Sequence, residues 1–420
     1  ESAVQWYCFL LYGTAAGTVF HKVFFSQTGN GTTALILSYM SFAIGYIAGP
    51  FGAVFFGHIG DRKGRKVTMY ASLLMMGIST SIIGILPPAA SAGVGVVIVL
   101  QLMRLAQCFG RGGTWGGGIL MAYENVPENK RSFYAAIPQI GLPIGFGLSS
   151  ILIAVPTLLL PEDIFFTWGW RIPFLAAIIL TVIVIRQKGE MMETEDYKKA
   201  QAKLEAEEAE GKKHKVGFIP MVKGYWKTLL LGCGTRWVDG TFYNIFIVWI
   251  LSYCINWLGM PLIQTYIITI IACIFKIPFT LFGGWCAQKL GNTRTFVIGA
   301  LASAVLSIPT LKVIELSKGN LAITIIGIVL GWSIAYNLIW AVISSLWSSY
   351  FETEVRYSGI SFVYHVPSFL VAGMVPTICT LLINYGKGDT IYVGIYSTVV
   401  ALISAACALA LKARHDRGEK

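Results

Sequence analysis

The sequence predicts an all-α membrane protein with twelve transmembrane helices, and three observations carry that expectation. Of its 420 residues, 55% are apolar and only 13% are charged, about half the charge density of a soluble protein. The mean hydropathy is +0.67, so water is not the solvent for most of the chain. Finally, the apolar residues come in runs of the length that crosses a hydrocarbon core, about 20 residues.

Runs separated by charge, Gly-Pro or Asn number six in the first half, at about 4–25, 33–57, 67–88, 95–123, 132–158 and 168–187. The second half gives about 225–257, 261–287, 295–313, 320–348, 357–384 and 390–412. The first run opens at once and at full length, so no removable signal peptide is seen. Glu1 is not a natural start, and further residues are expected to precede it. The chain is expected to divide into a first half of six spans (1–187), a cytoplasmic linker (188–224) and a second half of six spans (225–420) with a short cytoplasmic tail.

The net charge of +11 would suit nucleic acid if it were gathered on one face, but it lies in loops between apolar runs. There it reports topology. Arg62, Lys63, Arg65 and Lys66 follow the second run, Lys130 and Arg131 the fourth, and eight Lys lie in 188–224. Segments 26–32, 87–94 and 155–167 hold no Lys or Arg. The asymmetry places both termini and the linker in the cytoplasm, in agreement with an even number of spans. Glu190 to Lys215 is rich in Glu, Lys, Ala and Gln at helical spacing, the pattern of a solvated linker helix held by charge pairs.

The eight cysteines are scattered, with no CxxC pair, and read as small buried hydrophobes. No metal cluster and no nucleophile–base pair stands out, so an enzyme is not expected. The glycines from Gly112 to Gly118 are not followed by a phosphate-loop Lys, and close helix packing accounts for them.

An internal repeat accompanies the two halves. Gly57 to Lys66 reads GHIGDRKGRK, and Gly284 to Arg294 reads GWCAQKLGNTR at the matching place after span 8. Trp6-Tyr7 and Tyr12 to Ala16 lie in span 1, and Asp61-Arg62 follow span 2. Arg104 to Gln107 and Gly112 to Gly117 lie in span 4. Pro138 to Gly141, Trp168 to Phe174 and Val355 to Gly359 continue the series. Together these motifs resemble the major facilitator superfamily, and within it the metabolite:proton symporters, which include carriers of proline and betaine, citrate, 2-oxoglutarate and shikimate. The resemblance covers almost the whole chain. The linker departs from it, lacking the Pro-Glu-Thr-Pro expected after span 6. The resemblance implies the major facilitator fold: two six-helix bundles around a central cavity, with substrate at the midplane and alternating access by rocking. It implies no cofactor and favours a monomer in the lipid bilayer.

A charge at the bilayer centre costs about 2.5–3.5 kcal/mol on insertion scales, so every ionisable residue deep in a span is a functional candidate. These residues are Arg104, Arg111, Arg236, Asp239, Lys276 and His365. Arg236 and Asp239 are three apart and share a helix face, as a structural or gating pair. By the resemblance, Arg104 belongs to gating and coupling, together with Asp61 and Arg62. Where the family carries Asp, Arg and Glu, this chain has Cys8, Gly49 and Thr114, and the three positions are expected to form one cluster that has lost its charges together.

Arg111 and Lys276 are cations where small or apolar residues are expected, and an anionic substrate is their natural counterion. The plainer account pairs Arg111 with Asp239 or Glu124 and lets Lys276 snorkel to an interface. Tyr12, Tyr243, Tyr336 and Asn337, with Thr114 and Trp115, complete the candidate lining. Asp239, His365 and His21 are the groups left to carry a proton. The sequence thus predicts an inner-membrane secondary carrier of a small mono- or dicarboxylate, working by exchange, facilitated diffusion or proton symport. Its rivals are a proton-coupled carrier of a zwitterion such as proline or betaine, and a solute sensor that signals through 188–224.

Overall fold

The computed structural model describes residues 1–28, 30–63, 65–124, 126–127, 130–187 and 218–418, with backbone alone at 60–63, 65–66, 114–124, 218–220 and 353–354. Most of the expected linker (188–217) lies outside the described residues.

The described chain runs back and forth as helices joined by short turns. The first helix, α1, is built from Ser2–Ala15, a wider π turn at Ala16–Phe20 and a last turn at His21–Val23. Next come α2 (Gly31–Lys63), α3 (Arg65–Ile85), α4 (Val94–Glu124), α5 (Arg131–Leu159) and α6 (Glu162–Gln187). The second half holds α7 (Met221–Asn256), α8 (Leu262–Leu290), α9 (Asn292–Leu316), α10 (Leu321–Tyr350), α11 (Val355–Tyr385) and α12 (Ile391–Asp416). Eleven of these, α2 to α12, are long and apolar enough to cross a membrane. α1 stands apart. It carries Gln5, Thr14 and Thr18 among aromatic residues, and residues 4–20 are buried on every side, so protein rather than lipid surrounds its polar groups.

The expected spans are present with shifted ends. α6 begins at Glu162 and not near 168, because Glu162 and Asp163 suit the positive end of a helix dipole. Pro50, Pro156, Pro278 and Pro309 lie inside long helices, which packed neighbours tolerate at membrane depth.

The two halves repeat one packing scheme. In the first, α2 packs on α4, α3 on α4 and α6, and α1 on α5. In the second, α8 packs on α10, α9 on α10 and α12, and α7 on α11. The halves meet where α2 lies on α11, α5 on α8 and α1 on the π turn of α7. Outward faces carry exposed Phe51, Leu158, Val305 and Leu370, as a lipid-facing surface should. Trp168, Trp226, Trp257 and Trp285 are also exposed and sit near helix ends, at the level of an aromatic belt.

Candidate functional site

Among the described residues, the buried Arg, Lys, Asp and Glu side chains are Arg104, Arg111, Arg236, Lys276 and Asp239. Four basic groups therefore face one carboxylate. All five stand near the middle of their helices, and most belong to one chain of contacts.

Arg111 on α4 donates from Nη2 to the hydroxyl of Tyr364 on α11, and its guanidinium lies 3.8 Å from the Phe9 ring and 4.8 Å from that of Trp6. Arg236 stands 4.4 Å from the Tyr364 ring and forms an ion pair with Asp239 on its own helix. The second Asp239 oxygen accepts from the Tyr336 hydroxyl on α10. The Tyr336 ring is 4.5 Å from Lys276 Nζ on α8, and that ammonium donates to Asn337 Oδ1 at 2.9 Å. Asn337 returns a 2.9 Å bond to the Lys276 carbonyl. One polar chain thus threads α4, α11, α7, α10 and α8 in the order Arg111, Tyr364, Arg236, Asp239, Tyr336, Lys276 and Asn337.

The geometry bears on the readings that the sequence left open. Arg236 and Asp239 pair. Lys276 does not snorkel: its residue has 0% exposure, and the Trp332 carbonyl lies 3.5 Å from its Nζ as a second acceptor. The Asp239 oxygens are taken by Arg236 and Tyr336, while Arg111 meets Tyr364.

Arg104 and Tyr12 lie deeper in the first half. The Arg104 guanidinium is 4.4–4.6 Å from the rings of Phe9, Tyr12 and Phe42, and it donates to Gln107. The Tyr12 hydroxyl meets Ser41 on α2, so it is engaged within the first half, beside Arg104. Tyr243 packs 5.9 Å from Trp6, and its buried hydroxyl has no hydrogen-bond partner among the described residues. The same holds for the Tyr46 hydroxyl and Trp332 Nε1. Several donors thus remain unused at this depth, the complement of a ligand rich in oxygen acceptors.

His365 Nδ1 would lie 2.8 Å from a Cβ placed at Gly49, and its Nε2 has no partner among the described residues. Cys8 faces elsewhere, toward Thr80 and Thr181 on α3 and α6. The expectation that positions 8, 49 and 114 form one cluster fails for the first two, because α1 and α2 turn these residues toward different neighbours. Thr114 and Trp115 lie on α4, and Asp61 and Arg62 at the end of α2, where side chains fall outside the described residues.

Sequence reasoning did not single out Tyr364, Trp6, Phe9 or Trp332 as cation partners. Their one-dimensional signal is that of any aromatic residue in an apolar run. Their meaning comes from which helices meet.

The halves also close on each other at both ends. At the end away from the linker, Tyr39 on α2 donates to Ser252 on α7 at 2.6 Å, and Tyr266 on α8 to Thr18 on α1 at 3.1 Å. At the linker end, Trp340 Nε1 donates to the Gln139 carbonyl at 3.0 Å. Beyond the first closure an open cavity of about 600 Å³ is lined by His21, Lys22, Asn30, Trp257 and Asn384, among others. Trp249 and Ser252 also line this vestibule.

Two pseudo-repeated helical halves that enclose buried charge and shut at both ends define a membrane transporter. The chain belongs to the Major Facilitator Superfamily, whose family model matches residues 6–376. Its relatives include the inner membrane metabolite transport protein YhjE of Escherichia coli K12, 34% identical over 99% of this chain and 93% of that protein. The shikimate transporter of the same organism is 31% identical over 98% and 92%, and the proline/betaine transporter of Salmonella typhimurium LT2 27% over 99% and 82%. Among solved structures, a partially occluded inward-open form of the xylose transporter XylE from E. coli matches with a TM-score of 0.71. Its identity is 16%, over 97% of this chain and 95% of that one, a likeness of fold. The family and these relatives are transporters, not enzymes.

Proposed function

We propose that this transporter carries a small organic anion, a mono- or dicarboxylate, across the inner membrane by alternating access. The observation that supports the reading is the excess, among the described residues, of four buried basic side chains over one carboxylate. Each buried charge is costly in lipid, and an anion bound among them would offset part of that cost. Arg111 supplies a planar fork for a carboxylate, and Lys276 a point charge deeper in the second half. Tyr243, Trp332 and Asn337 orient the remaining polar atoms of the substrate, and Thr114 and Trp115 take part in binding it.

The proposal extends to topology. Residues 1–187 and 225–420 act as the two rocking halves of a monomer, joined by 188–224. Both termini are cytoplasmic, as the Lys and Arg of the loops require. Asp61, Arg62, Arg104, the Arg236–Asp239 pair and His365 serve gating and coupling.

The test is transport in proteoliposomes with a panel of carboxylates, shikimate included. It compares an imposed inward proton gradient with internal anion preloading. Stimulation by preloading alone establishes exchange, and stimulation by the gradient establishes symport. Arg111→Gln raises the half-saturation concentration at least about tenfold, the cost of one charge-assisted bond. Unchanged transport in a well-inserted variant removes Arg111 from the site. Uptake of proline or betaine with no uptake of carboxylates would instead establish the zwitterion carrier, a reading favoured by the aromatic lining and by the proline/betaine relatives.

A further inference from the structure

Two buried phenols flank the same guanidinium from opposite halves of the molecule. Tyr46 on α2 is 4% exposed and Tyr243 on α7 is 3% exposed. Neither hydroxyl has a hydrogen-bond partner among the described residues. Trp6 and Phe9, neighbouring rings on one face of α1, form the platform between them. The Arg111 guanidinium lies over both of these rings. Tyr46 stands edge-on to Phe9 at 5.5 Å, and Tyr243 packs against Trp6 at 5.9 Å. Arg111 is the cation that acts most strongly on each hydroxyl, and the two hydroxyls act on each other. Gly373 on α11 leaves room for this arrangement, since a Cβ there would lie 3.0 Å from the Tyr46 ring.

A phenol hydroxyl both donates and accepts, whereas a guanidinium only donates. Leaving such a hydroxyl unmet in a buried site is costly. A carboxylate oxygen would engage the phenol protons and leave the lone pairs unused. An ammonium, which only donates, would meet the charge of Arg111. An alcohol matches both phenols, because it accepts from one and gives its own proton to the other. We propose that Tyr46 and Tyr243 read a hydroxyl carried close to the substrate carboxylate, so that the carrier selects hydroxylated carboxylic acids over their deoxy analogues. The inference rests on Arg111 receiving the carboxylate, and it adds Tyr46 to the substrate-binding residues.

Tyr46 belongs to the first half and Tyr243 to the second, so the substrate hydroxyl bonds across the interface that opens during transport. A hydroxylated acid therefore favours the closed arrangement. A deoxy acid reaches Arg111 without drawing the halves together.

The experiment is calorimetric titration of the purified full-length protein with matched acids: malate and succinate, lactate and propionate, quinate and cyclohexanecarboxylate. In the pair that binds best, the hydroxylated acid is expected to bind at least about tenfold tighter, the worth of an alcohol bonded on both sides. Tyr46→Phe and Tyr243→Phe each lower that ratio at least about threefold, by weakening the hydroxylated acid alone. A ratio near one in the parent protein, or one unchanged in both variants, overturns the proposal. Melting curves without ligand give a second readout. Both variants melt no lower than the parent, because phenylalanine keeps the ring and removes a polar group that has no partner. A fall in both melting temperatures shows hydroxyls bonded within the protein, and overturns the proposal too. The two failures are distinguishable. Binding of none of these acids removes the anion site and the hydroxyl reader with it. Equal binding within each pair, lost in Arg111→Gln, removes the hydroxyl reader alone.

Discussion

Arg236 and Asp239 form an ion pair across one turn of α7, with only 2% and 1% of their side chains exposed. The carboxylate has a second donor in Tyr336, whereas among the described residues the guanidinium pairs with the Asp239 carboxylate alone. Removing one member of a buried pair costs about 3–5 kcal/mol, because the other charge stays behind. The asymmetry of partners makes the two halves of the pair unequal.

Asp239→Asn is therefore expected to destabilise the protein more than Arg236→Gln, since Tyr336 still donates to the aspartate in the second variant. The double variant recovers part of the loss. Thermal unfolding in detergent, monitored for all three, checks this order. A double variant less stable than Asp239→Asn alone would show that the pair is not the unit that matters.

Lys276 separates binding from stability. Its ammonium is buried, held by Asn337 and flanked by Trp332 and Tyr336 at 4.7 and 4.5 Å. An apolar residue of similar volume removes the desolvation cost of the buried ammonium, and Asn337 Oδ1 still accepts from Thr280 Oγ1 at 3.1 Å. Lys276→Met should thus leave the melting temperature unchanged or raised, while the half-saturation concentration for the anion increases. Asn337→Leu strips an acceptor from the ammonium and costs about 1–3 kcal/mol. Melting curves and uptake kinetics on the same preparations decide it. A large drop in stability for Lys276→Met would make the lysine structural and not a ligand group.

Much of this was legible in the sequence. Eleven of the spans follow from apolar length, and the buried basic groups from their cost in lipid. The Arg236–Asp239 pair follows from spacing alone, because residues three apart on one helix must be neighbours. Contacts between helices were not legible. Lys276 and Asn337 are 61 positions apart, and Arg111 and Tyr364 are 253 apart. Only the packing of α8 on α10 and of α4 against α11 brings these together. Cys8 and Gly49 failed as a cluster for the same reason: a motif fixes which residues occur, not which way two separate helices turn them.

The closure at the end away from the linker depends on a glycine. The π turns Ala16–Phe20 of α1 and Ile245–Trp249 of α7 face each other there. Such a wider turn displaces carbonyls from the regular helical ladder. Ser38 donates to the Ala16 carbonyl at 2.7 Å and Tyr39 to that of Val248 at 3.4 Å. A Cβ at Gly17 would lie 3.0 Å from the Val248 oxygen and 3.2 Å from the Tyr39 hydroxyl. Alanine demands a shift of a few tenths of an ångström, whereas valine adds two methyl groups in the same place. Overpacking of this kind costs about 1–3 kcal/mol. The cost falls on the closed arrangement alone, because the clash is between halves that part when the gate opens. Gly17→Val should hold this end ajar, so that hydrogen–deuterium exchange across 245–257 rises and transport slows. Gly17→Ala shows both effects weakly. Normal transport by Gly17→Val, with unchanged exchange at 245–257, would place the gate elsewhere.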